Sequence, residues 1–137
     1  MSKIFIGCIL SFLPLVSFAS DINVYKDGVN FPDIKITALS NNHFMDSGSV
    51  VNKDAINKIE VGMDKKQVEL LLGRPHFVTG IFGVHTWNYV FKFKSSGGAD
   101  MRCQYKIDFD DNMLVSDSYF NSEACASENM VYQNLFN

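Results

Sequence analysis

The chain has 137 residues, 12 basic and 15 acidic side chains and a formal charge of −3, which is the length of one domain. Nucleic-acid binding is set aside, because phosphate contacts need clustered Lys and Arg and no such stripe occurs. No phosphate loop, nucleophile elbow or HExxH motif is present, so the sequence offers no catalytic signature and is read as non-enzymatic.

The N-terminus reads as an address. Met1-Ser2-Lys3 is a short positive start, residues 4–16 are almost wholly apolar, and Ser17-Phe18-Ala19 supplies small residues before a cleavage site. This is the pattern of a secretory signal peptide over residues 1–19. The apolar run is shorter than the roughly 20 residues of a membrane-spanning helix. Cys8 falls near the start of the apolar run, whereas a lipoprotein signal ends at its cysteine, so no lipid anchor is expected at Cys8. Cleavage leaves Cys103 and Cys125, an even pair in an exported chain, and the expectation is a disulfide.

Residues 20–48 have mixed character and are read as a lead-in that either lies against the domain or stays mobile. The domain proper is expected over residues 49–125. A first helix is expected over 53–59, capped by Asn52, with Ala55, Ile56 and Ile59 on one apolar face. A second begins after Asp64, whose partner Gln67 completes a capping box. Val68, Leu71 and Leu72 form its buried face, while Lys65, Lys66 and Glu69 face water. Gly73 and Pro75 end it.

Three strands follow. Trp87, Tyr89, Phe91 and Phe93 alternate with Thr86, Asn88, Val90 and Lys92. Met101, Cys103, Tyr105, Ile107 and Phe109 alternate with Arg102, Gln104, Lys106 and Asp108. Residues 114–120 form the third. The period of two is that of a sheet with one wet face. The predicted fold is therefore α+β: two short helices, an αα-hairpin, packed on the aromatic face of a three-stranded antiparallel sheet. Residues 126–137 are read as a C-terminal tail.

Asp108, Asp110 and Asn112 resemble the start of a calcium loop, but Met113 and Tyr119 stand where that loop needs Gly and Glu, so a turn is expected. His43, His76 and His85 have no ligand spacing, and no metal or cofactor is expected. The informative stretch is Ile81-Phe82-Gly83-Val84, an apolar loop between helix and sheet. Folded inward it is core. Turned outward, Phe82 marks a protein or membrane contact, with Arg74 and His85 as polar handles and Trp87 beside them.

Gly62-Met63-Asp64-x-x-Gln67-Val68, Leu72-Gly73-x-Pro75 and Phe82-Gly83-x-x-Thr86-Trp87-x-Tyr89-Val90-Phe91 together resemble the BamE (SmpA/OmlA) family of small outer-membrane assembly proteins. Leu72-Gly73-Arg74-Pro75-His76-Phe77 and Cys103-Gln104-Tyr105-Lys106 are most similar to the BamE-like domains that precede OmpA-like domains, although no OmpA-like domain is expected after Asn137. The resemblance implies an αα-βββ fold, residence at the periplasmic side of the outer membrane, and a scaffold role with outer-membrane assembly proteins or other envelope proteins and anionic lipid as partners. It assigns the contact surface to Phe82, Gly83 and Trp87. The family's lipid-bearing cysteine has no counterpart here, so attachment would be indirect. A second expectation is a soluble periplasmic or secreted regulator or inhibitor that binds an enzyme through an exposed sheet face of Thr86, Asn88, Val90, Arg102, Gln104 and Lys106.

Overall fold

The computed structural model describes residues 20–32, 49–50, 52–79 and 83–136. The expected signal peptide, residues 1–19, lies outside the described residues.

The two helices form where the caps placed them. Helix α1 is Lys53–Asn57, and the Asn52 side chain accepts from the N–H of Asp54. It is shorter than its apolar pattern suggested; Ile59 still reaches the core from the turn beyond it. Helix α2 is Lys65–Leu72. Asp64 Oδ1 accepts from the Gln67 N–H at 2.8 Å while Gln67 Oε1 accepts from the Asp64 N–H at 2.9 Å, so two of the donors that a helix start leaves unpaired are satisfied. Gly73 closes the helix at φ +78, a conformation that costs glycine little. The Tyr89 hydroxyl then donates to the Gly73 carbonyl at 3.0 Å and fixes the helix end to the sheet.

The fold is α+β, but among the described residues its sheet has six strands where three were expected. Strands β1 (Val24–Tyr25), β2 (Ser49–Val50) and β3 (Phe77–Thr79) precede the long strands β4 (Thr86–Lys94), β5 (Asp100–Phe109) and β6 (Val115–Phe120). The expected antiparallel meander is the centre, β4 beside β5 beside β6, with Tyr89 opposite Tyr105 and Tyr105 opposite Phe120. Short strands extend both edges. Strand β1 runs parallel to β6. On the outer edge of β4, β3 pairs antiparallel with residues 86–88 and β2 pairs parallel with residues 91–92. Two- and three-residue strands carry too few positions to show an alternation, which is why the sequence pattern passed over them.

The aromatic face is the core. Tyr89, Phe91, Tyr105 and Phe120 are buried against Ile56, Ile59, Val68 and Leu72 from the helical side. Each such side chain contributes about 1.5–3 kcal/mol relative to exposure. A third helix, α3 (Glu123–Phe136), runs through the expected boundary at residue 125. Cys103 and Cys125 are bonded, tying β5 to α3 as the cysteine count implied.

The lead-in lies against the domain where it is described. Asn23 adopts φ +55 and sits inside the molecule. Its N–H donates to Ser118 Oγ at 2.8 Å, its Nδ2 donates to the Ile56 carbonyl at 3.0 Å, and its Oδ1 accepts from the Tyr105 hydroxyl. Beyond β1 the chain reaches Pro32, whose carbonyl accepts from Gln104 Nε2 at 3.2 Å on the sheet's second face. That face is less wet than the alternation suggested: Asn88 is 3% exposed and Val90 1%. The open surface of six residues required by the sheet-face regulator is therefore missing two members.

Candidate functional site

The candidate loop joins β3 to β4. Ile81 and Phe82 lie outside the described residues; Gly83, Val84 and His85 are described. Gly83 is exposed at φ +101, and a Cβ there would sit 3.1 Å from Met113 Cε. Backbone conformation and the nearby methyl group both favour glycine at this position.

Val84 turns inward and packs against the core. Its carbonyl accepts from Lys65 Nζ, which reaches across from the first turn of α2. The same ammonium lies 5.2 Å from the Phe109 ring centroid and 5.8 Å from that of Trp87. A cation held over aromatic faces is attracted by their quadrupoles, and its aliphatic stem covers apolar surface. Lys65 therefore does not simply face water as its place on the helical wheel implied. It clasps the loop to the sheet.

Trp87 is only 8% exposed and meets Phe109 edge to face at 5.2 Å. It forms the floor under the loop rather than an outward surface. His85 is half-buried; its Nδ1–H donates to the Phe109 carbonyl at 3.3 Å, while the Phe109 N–H donates to the His85 carbonyl at 2.8 Å. Gly83, Val84, His85 and Trp87 thus gather around Lys65, Phe109 and Met113, three residues the sequence reading did not assign to the site. Arg74 is placed differently. Its side chain is 89% exposed just past α2, where Nε donates to Glu69 Oε1 at 3.2 Å. Such a surface pair contributes little to stability, so the guanidinium is available for exchange.

His76, at the other end of β3, also does structural work. Burial holds its pKa below the usual histidine range. Burial likewise raises the Tyr89 and Tyr105 hydroxyls above their ordinary values, keeping both as neutral donors. Among the described residues, no three His, Cys, Asp or Glu side chains converge on a position that could hold a metal ion. No helix of the described residues is long and apolar enough to cross a membrane. Asp110 ends in the expected turn, its Oδ1 accepting from the N–H groups of Asn112 and Leu114.

A helix pair on a largely antiparallel sheet, stapled by a disulfide, defines a small α+β module. Comparison with known proteins gives the family. The model for the outer membrane protein assembly factor BamE domain matches residues 48–119, just over half of the chain, and the chain belongs to the BamE family.

An outer membrane protein assembly factor BamE of Polynucleobacter necessarius subsp. necessarius (strain STIR1) is 34% identical over 50 residues, which is 36% of this chain and 22% of the relative. One from Pseudomonas fluorescens is 30% identical over 70 residues, 50% of this chain and 39% of the relative. The matched segments span well under half of those relatives' length. A crystal structure described as that of an osmotically inducible lipoprotein, OsmE, is 18% identical with a TM-score of 0.39, covering 60% of this chain and 88% of that one. That likeness is too distant to add to the fold described above.

Proposed function

We propose that the protein is an exported, non-enzymatic module at the periplasmic side of the outer membrane. It supports outer-membrane protein assembly or envelope integrity through contacts with assembly proteins or other envelope proteins, and with anionic lipid. The observation that carries this reading is the family match over residues 48–119, which runs from β2 to β6 and so includes every element that holds the loop.

In this reading residues 1–19 are removed on export, residues 20–48 are a lead-in, residues 49–125 are the family domain, and residues 126–137 are the C-terminal tail, which as far as Phe136 continues α3. Contact is made at the loop by Ile81, Phe82, Gly83 and His85, with Val84 anchoring it to the core, Arg74 offering a cation beside α2 and Trp87 supporting it. Cys8 carries no lipid, so attachment is through the partner. The described base of the loop, Val84 and His85, is held by Lys65 and Phe109, and a fixed base lowers the conformational-entropy cost of binding.

Envelope fractionation tests the proposal. The mature protein should sediment with the outer membrane, and Phe82→Ala combined with Arg74→Ala should move it to the soluble periplasm while its thermal unfolding midpoint stays unchanged. Wild-type protein found wholly in the soluble periplasm would refute it.

A further inference from the structure

The sheet's second face carries a feature, at the base of the loop, that does not depend on the outer-membrane reading. A cleft of about 270 Å³ opens between the lead-in at Phe31 and Pro32 and the sheet residues Thr79, Thr86, Asn88 and Lys106. Its floor is contiguous, since Thr79 pairs with Thr86 across β3 and β4, and Asn88 pairs with Lys106 across β4 and β5.

Asn88 is nearly completely buried, yet its Oδ1 has no hydrogen-bond partner. Buried polar atoms are paired in the great majority of cases, and an orphan calls for an explanation. A carboxamide presents an acceptor and a donor side by side in one plane. Its complement is a group with the opposite pair, and a peptide unit or another carboxamide is that group.

The same face already shows this recognition. Gln104, opposite Val90 on β5 and so diagonal to Asn88, donates from Nε2 to the peptide carbonyl of Pro32 at 3.2 Å. One side-chain amide on the face is thus occupied by the lead-in of this chain, while the carboxamide oxygen of its neighbour has no partner. Lys106 adds charge: its ammonium is 3.7 Å from Asp108, a loose pair that an incoming carboxylate could share. The cleft is smaller than the usual drug-sized pocket of roughly 300–1,000 Å³, so it fits a residue or two rather than a whole cofactor.

We propose that this cleft is a peptide-binding site, in which Asn88 pairs with a backbone amide of an extended acidic segment of a partner polypeptide lying alongside the lead-in. Lys106 favours an acidic residue there.

Nuclear magnetic resonance on the ¹⁵N-labelled exported protein tests it, with the capped peptide acetyl-Gly-Asp-Gly-amide as probe. The Asn88 side-chain amide signals and the Thr79 and Thr86 backbone signals should move saturably at millimolar peptide, with a nuclear Overhauser contact from the peptide N–H to the Asn88 amide. The lysine analogue should bind at least several-fold more weakly. Asn88→Leu should remove the shifts. If that variant fails to fold, the intermolecular contact in the wild-type protein decides alone. An unmoved Asn88 signal, equal shifts in folded Asn88→Leu, or a stronger response to methyl glucoside than to the peptide would each overturn the proposal.

Discussion

His76 Nδ1 accepts the backbone N–H of Val90 at 3.1 Å. The imidazole fills a gap in the ladder along β4, because β3 pairs with residues 86–88 and β2 pairs with residues 91–92, leaving the intervening N–H without a strand partner. Nδ1 can accept only in the neutral ring, with the proton on Nε2.

This bond makes stability depend on pH. Burial lowers the His76 pKa in the folded protein below the ordinary value of 6.5. Between those two values the unfolded chain binds the extra proton and the folded chain does not. His76 should therefore contribute fully above pH 6.5 and lose its contribution as pH falls through the ordinary value toward the depressed one. Urea unfolding from pH 7.5 to 5 should show this slope. His76→Ala should flatten it and cost about 1–2 kcal/mol at pH 7.5, because the N–H of buried Val90 loses its acceptor. An unchanged slope in the variant would contradict the assignment.

The second prediction concerns Asn23. Its side chain satisfies Tyr105, the α1 carbonyl of Ile56 and Ser118 at once. Asn23→Ala removes the acceptor of the fully buried Tyr105 hydroxyl, leaving Ser118 as its neighbour, and strips the Ile56 carbonyl of its donor, so it should destabilise by about 1–3 kcal/mol. It should also free the lead-in, so hydrogen exchange at residues 24–25 should accelerate more than at β5. Equal acceleration throughout would mean the lead-in adds no separate anchor.

Gly83 and Gly97 make a matched pair. Gly83→Ala forces a side chain into a left-handed conformation with Met113 close by, whereas a Cβ at Gly97 meets only Ser95 Oγ at 3.8 Å. Gly83→Ala should cost about 1–2 kcal/mol, and Gly97→Ala should change the unfolding midpoint little.

The bond between Cys103 and Cys125 closes a loop of sequence separation 22. Loop-closure entropy for that length gives about 3 kcal/mol. The Cys103→Ser, Cys125→Ser double variant should lose roughly that amount in denaturant unfolding. Denatured, unreduced wild-type protein should show no reactive thiol at either position.

Local chemistry was the legible part of the sequence. The Asp64 and Gln67 box and the Gly73 stop depend on residues a few positions apart and formed as read, and Trp87, Tyr89, Phe91 and Phe93 entered the core as their alternation implied, although Asn88 and Val90 between them are buried as well. What escaped depends on distant partners. Strands β1 and β2 owe their existence to parallel pairing with chain far away in sequence. Lys65 looked solvent-facing because helical position says nothing of the rings of Trp87 and Phe109 beyond it. Helix α3 includes Ser127, Asn129 and Asn134, which blur an apolar stripe, and Cys125 docks it through a covalent bond that periodicity does not encode. For the candidate site, the family pattern located the loop, while its clasp by Lys65 required three-dimensional structure.

The central claim is that this loop meets the outer-membrane assembly apparatus. It is tested most directly by placing a photoactivatable crosslinking residue at position 82 in living cells, with position 25 on β1 as control. The account predicts a crosslink from position 82 to an outer-membrane assembly protein, lost in Gly83→Val and absent from position 25. Equal labelling from both positions, or capture from position 82 of soluble periplasmic enzymes alone, would contradict it.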